Sequence, residues 1–360
     1  MGQLNQRTDC MPASGANPTL GQLYRLDKQL QLDRSRSLEQ LRERDHAIGQ
    51  DCTGSSDGNA LRHWLEQVDS DADPGAQSWL NEAHAALLMR LLALVAGLLG
   101  MAGFLLASDR ALVNVFLLLV IFVLVPLVMA LFAAWALLRS VRGSPPPVLS
   151  INPARFVSRY ALPDKRFLKE GSSVLRLLLL KHGQELGACF AVGSLVAFLA
   201  LLAFNDFSFV WGSTFGFSDE LVSAFAAFMA APWSVLVPAA VVSPEVVAET
   251  RYHAAQLDLG AMTADSRRAW WPFLFMCLLL YSLLPRVLLW LLTRRAYQRE
   301  LTRSFLATPG AASVLARMRA PVVSTQAPDE EQLGAQTRTL TLDEGAVLLE
   351  WAGALASSAL

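Results

Sequence analysis

Apolar residues gather into four long runs between polar stretches, at 87–107, 111–138, 187–204 and 270–293. Each holds about 18 residues or more, enough as a helix to cross a hydrocarbon core of ~30 Å. Only Ser108, Asp109 and Arg110 separate the first two runs, which leaves room for little more than a reversal. The pattern predicts an all-α integral membrane protein with four transmembrane helices in two hairpins.

Residues 221–243 form a further apolar stretch that hydropathy alone would accept as a span. Pro232 and Pro238 interrupt its backbone ladder and Trp233 stands beside the first of them, as expected of a re-entrant or interfacial segment. Charge decides the matter. The 139–186 loop has nine Lys/Arg against three acids, so it belongs in the cytoplasm. Arg294, Arg295, Arg299 and Arg303 follow the last run and belong on the same side. Residues 205–222 carry Asp206, Asp219 and Glu220 and no base, and belong outside. A crossing at 221–243 would force the Arg294/Arg295 cluster outside.

The resulting division is a cytoplasmic helical region at 1–86, a first transmembrane hairpin at 87–138, and a basic cytoplasmic loop at 139–186. A third helix at 187–204, an external loop at 205–269, a fourth helix at 270–293 and a cytoplasmic tail at 294–360 complete it. Both termini belong in the cytoplasm.

The polar flanks have patterns of their own. From Leu20 to Ile48, apolar residues at 23, 26 and 30 and again at 38, 41 and 48 predict a helix or helical hairpin. A turn-rich break from Thr53 to Gly58 precedes a short helix in which Leu61, Trp64, Leu65 and Val68 share one face. That face needs a cover. Either the first helix or the membrane surface supplies it, or the four residues bind a partner protein. In the tail, Ala320–Gln336 reads as a linker and Ala346–Trp351 as a strand.

Small residues at four-residue spacing suit close helix contact: Ala96 and Gly100, Gly103 and Ala107, Gly187 and Ala191, Gly193 and Ala197. They pack the four helices together or join copies in a homo-oligomer. Phe207, Phe209, Trp211, Phe215, Phe217, Trp233, Trp270 and Trp271 fit an outer interfacial belt.

Composition adds exclusions. With 53% hydrophobic and 17% charged residues in 360 positions, the chain is too apolar for an ordinary soluble domain. A net charge of −1 gives no reason to expect nucleic acid as a partner; membrane lipid is the obvious one. Cys10 and Cys52 fall in the cytoplasmic region, where thiols stay reduced, and Cys189 and Cys277 fall within the runs, so no disulfide is expected. Gly54-Ser55-Ser56-Asp57-Gly58 matches a nucleophile elbow in letters, but its flanks are loop-like. No P-loop, HExxH or dinucleotide fingerprint occurs, and the five histidines are scattered. The sequence offers no catalytic, cofactor or metal site. Arg90 and Arg286 lie within the first and last runs and read as side chains reaching for the interface.

Five stretches are similar to a bacterial inner-membrane family known only as a domain of unknown function. They are Arg44–Gly49 (RDHAIG), Leu61–Leu65 (LRHWL), Val113–Phe116 (VNVF), Phe207–Trp211 (FSFVW) and Tyr281–Arg286 (YSLLPR). The similarity covers roughly residues 20–310, and FSFVW and YSLLPR are its most specific parts. Members are typically encoded beside a GTPase, so the resemblance implies a membrane partner for such an enzyme and transfers no catalytic residue. The expected function is a non-enzymatic inner-membrane scaffold or anchor docking a cytoplasmic GTPase. The alternative is a channel or transporter component lined by 221–243.

Overall fold

The computed structural model describes residues 17–52, 54–69, 82–108, 111–141, 173–252 and 263–320. The chain divides into two units, Met1–Arg319 and Ala320–Leu360, and the elements described all belong to the first. The predicted tail strand lies outside the described residues, as do the predicted linker beyond Ala320 and residues 142–172 of the basic loop.

The N-terminal stretch forms two helices, α1 (Leu20–Asp33) and α2 (Leu38–Gln50), followed by α3 (Asp57–Asp69). Thr19 and Gln22 close a capping box at the start of α1, and Ser37 caps α2. Gly54 (φ 88°) opens the turn from α2 into α3; α2, not a strand, precedes Ser56, so the GxSxG letters make no elbow.

Among the described residues four helices are long and apolar enough to cross a membrane: Ala86–Leu106, Val115–Ser140, Ser173–Phe204 and Asp265–Leu306. The first lies in α4 (Glu82–Leu106). A short strand, β1 (Leu112–Asn114), leads into the second, built from α5 (Val115–Leu119), a π segment (Val120–Leu124) and α6 (Val125–Val141). The third is α7 (Ser173–Phe204), followed by β2 (Ser208–Val210). The fourth joins α10 (Ala264–Arg268), α11 (Trp270–Cys277), a second π segment (Leu278–Leu283) and α12 (Leu284–Leu306). Between the third and fourth lie α8 (Asp219–Ala230) and α9 (Pro244–Glu249), and α13 (Ala311–Arg319) follows the last.

Two of these helices reach beyond the apolar runs. The third starts at Ser173 and takes in the Leu-rich stretch ahead of 187, which holds no proline. The fourth runs on to Leu306, past the end of its apolar run at 293. Its charged extension keeps Thr293, Tyr297, Leu301 and Phe305 buried on one face, so packing continues after hydropathy has ended.

Parallel pairing of β1 with β2 sets Leu112 against Ser208, Val113 against Phe209 and Asn114 against Val210, and so joins the connections after the first and third spans at one end of the bundle. There Met101, Leu118, Phe122, Phe198, Phe209, Trp211, Trp233 and Phe273 share one apolar core. A second core joins α1, α3 and α13 to the other ends of three spans, through Leu137, Val174, Leu177, Tyr297, Leu301 and Phe305.

No helix in the 221–243 stretch is long enough to cross a membrane. Its one α-helix has 12 residues, about 18 Å at 1.5 Å per residue. Val222, Ala226, Met229, Ala230 and Trp233 are built into the first core. The opposite side is open, with Phe228, Val235 and Leu236 75%, 89% and 82% exposed. The predicted aromatic belt is also divided. Trp211, Trp233 and Trp270 are buried, donating through Nε1 to Val247 O (2.6 Å), Ala240 O (3.1 Å) and Thr250 Oγ1 (2.9 Å), whereas Phe215, Phe217 and Trp271 are exposed.

Of the small residues, Gly193 and Ala197 are buried, and a Cβ on Gly193 would collide with Leu94 O. On the facing helix it is Gly97 that meets the partner backbone, at Phe190 O. Ala96, Gly100 and Gly103 are exposed instead. Four-residue spacing on α4 fits two helix faces, and the structure uses the one displaced by a single residue.

Candidate functional site: an arginine inside the bundle

The face expected to bind a partner is already covered. Leu61 and Trp64 are fully buried, Leu65 and Val68 nearly so, in a core shared with α1, α12 and α13. The indole Nε1 of Trp64 donates to Asp45 Oδ1 at 2.7 Å, and Arg44 lies over its ring at 5.2 Å. Asp45 is itself fully buried and also accepts from Arg44 (2.9 Å) and Arg317 Nε (2.7 Å), tying α2, α3 and α13 together. Arg44 grips Asp33 with both terminal nitrogens, at 3.0 and 2.6 Å. Burial alone would depress the Arg44 guanidinium, but the hydrogen bonds and charges of Asp33 and Asp45 outweigh it and hold its pKa above the usual value. Gly49 lets α2 touch the α13 backbone, where a Cβ would strike Met318 O. The RDHAIG and LRHWL stretches therefore build a platform.

Cys52 within this platform is disulfide-bonded, contrary to the reduced thiol expected of a cytoplasmic segment.

Arg286 has no such support among the described residues. It follows Pro285 at the head of α12, directly after the second π segment. Proline has no N–H and crowds the carbonyl four residues back, and each π segment here is followed within two residues by one, Pro126 or Pro285. The two widened turns pack against each other. Arg286 is only 8% exposed, so it does not reach the interface as the sequence reading supposed. Its Nη2 donates to Pro126 O at 3.4 Å, a long bond. Gly187 on α7 makes the space, since a Cβ there would collide with the guanidinium. Glu185, the nearest acid on that helix, is taken by Arg90 (2.8 Å) and His182 (3.1 Å).

Depth follows from the same helix. Exposed leucines continue to Leu292, and the first exposed arginine is Arg294. Arg286 sits eight residues before it, about 12 Å along the axis and well inside a ~30 Å hydrocarbon core. On the other side of Arg286, Tyr281 donates to Met229 O at 2.9 Å and packs on Trp233. The YSLLPR stretch therefore links the α8 segment to the interior arginine.

The chain matches the family described as Protein of unknown function (DUF2868) over residues 133–351, more than half its length. It belongs to that family. No curated protein and no solved structure matches it. The matched region contains Gly187, FSFVW and YSLLPR, whereas RDHAIG, LRHWL and VNVF precede it. Among the described residues no group of three or more His, Cys, Asp or Glu side chains is placed to hold a metal ion. A concavity of about 590 Å³ lies beside the Asp206–Arg268 ion pair, lined by Leu199, Phe204, Phe209 and Trp271. The Arg268 hydrogen bond holds the Asp206 carboxyl below its usual range.

Sequence position located Arg286 within a span but could not show which way it pointed. The proline and the glycine on the facing helix were both present as letters. Only their convergence was hidden.

Proposed function

We propose that the protein is a non-enzymatic membrane scaffold whose helical platform docks a soluble partner at the membrane surface. One observation carries the reading: α1, α3 and α13 share a core with the ends of three spans, so a partner bound to the platform is held rigidly against the bilayer. Buried acids in the platform are spent on structural pairs, Asp45 and Asp33 above all. The docking point is the turn between α1 and α2, where Leu32 and Leu38 are each 55% exposed. A GTPase is the partner that the family resemblance implies.

The proposed orientation puts the platform and both termini in the cytoplasm of a bacterial inner membrane and residues 205–252 outside, in two hairpins. Charge bias supports it; the disulfide at Cys52 points the other way, since such bonds persist in oxidising compartments. Affinity purification of the tagged full chain in mild detergent tests the scaffold reading. Recovery of a stoichiometric nucleotide-binding protein is the expected result, and recovery of the chain alone from several mild detergents would count against it.

Transport is a second reading, favoured by Arg286, because an unpaired charge inside a bilayer commonly marks a passage. In that reading 221–243 supplies the lining through its open side, where Phe228, Val235 and Leu236 are exposed.

A further inference from the structure

Toward its C-terminal half, the exposed face of α12 changes from leucine to arginine. Leu291, Arg294, Arg295, Gln298, Arg299 and Thr302 line a concavity of about 660 Å³, closed on one side by Asn17. Their spacing of three, four and seven residues puts them on one side of the helix. Arg294, Arg295 and Arg299 are exposed. Arg294 lies over the Trp290 ring at 5.5 Å, and among the described residues none of the three pairs with an acid. The local carboxylate, Glu300, is engaged by Ser173 Oγ and by Arg303 at 3.9 Å. Gln298 contributes a buried Oε1 that accepts no hydrogen bond.

We propose that this concavity binds the headgroup of an anionic phospholipid, with the arginines on its phosphodiester and Gln298 Oε1 accepting from a headgroup hydroxyl. The position on the helix favours a lipid over a free anion. Leu284, Leu288 and Leu291, 42%, 51% and 39% exposed, run up the same helix at three- and four-residue spacing and give an acyl chain a track that ends at the arginines. A soluble phosphate would use the charges and leave that track idle. Guanidinium groups suit the phosphate because they present paired donors in fixed geometry.

The experiment is native mass spectrometry of the full chain in a neutral detergent, offered equimolar phosphatidylglycerol and phosphatidylcholine with identical acyl chains. The proposal expects retention of phosphatidylglycerol by at least about tenfold over phosphatidylcholine, weakened as salt rises. The triple variant R294Q/R295Q/R299Q should lose that preference, and the corresponding triple lysine variant, which keeps the charge but not the paired donors, should retain only part of it. If the glutamine variant proves unstable, the salt dependence of the native chain still decides. Equal retention of the two lipids, a preference indifferent to salt, or a preference kept by a folded glutamine variant would each overturn the proposal. Displacement of phosphatidylglycerol by millimolar inorganic phosphate at constant ionic strength would also overturn it, by showing a site for free phosphate.

Discussion

Two buried charges in this chain have opposite surroundings, and their substitution should have opposite effects. Asp45 accepts from Trp64, Arg44 and Arg317 and has no exposure. Asp45→Ala would leave Arg317 and the Trp64 indole without their acceptor and Arg44 with Asp33 alone, and should cost about 3–5 kcal/mol, read as a lower thermal midpoint in detergent. Arg286 has one long bond to a carbonyl. Since an arginine at mid-span costs about 2.5–3.5 kcal/mol, Arg286→Met should leave the midpoint unchanged or raise it. A clear fall would mean that the guanidinium has stabilising partners beyond Pro126. In the sequence both residues were visible as charges, but partner count depends on which helix faces which, and letters carry no such information.

At the level of elements, the four apolar runs were legible because burial in lipid demands length and low polarity. What that signal cannot give is the phase of a helix. The Ala96/Gly100 spacing pointed to one face of α4, and contact occurs at Gly97 and Gly193, where backbones meet. Gly97→Leu and Gly193→Leu should therefore unfold or splay the bundle, at about 1–3 kcal/mol or more each. Gly103→Leu should be tolerated, since nothing lies within 4 Å of its Cβ position. Detergent melting curves on the three variants separate these outcomes. The α8 segment gives a second test. Val235 and Leu236 are exposed while Ala230 is buried, and an apolar tip of that kind beside a bundle should rest on lipid. A fluorophore at position 235 should be quenched by nitroxide-labelled lipid in reconstituted vesicles; an unquenched probe would place the tip in water. Hydropathy had shown this stretch as apolar throughout. The division into a core side and an open side comes from the packing of Trp233 against Phe273 and Tyr281, residues far along the chain.

For the molecule as a whole, the organising feature is one core shared by the terminal helices and the span ends. Its apolar face on α3 was legible as a face needing a cover, and the cover proved to be the chain itself, because α12 extends beyond the hydrophobic run and brings Tyr297, Leu301 and Phe305 against it. That continuation was illegible, since an arginine-rich stretch reads as an exit from the membrane and says nothing of its inner side. The scaffold reading follows from this shared core, and it fixes which leucines remain free for a partner. The most direct test compares two double variants for recovery of the co-purifying partner and for abundance in the membrane. Leu32→Ala/Leu38→Ala should reduce partner recovery about tenfold or more at normal membrane abundance. Trp64→Ala/Leu65→Ala should deplete the protein itself. Normal partner recovery by the first variant, or normal abundance with lost recovery in the second, would contradict the account.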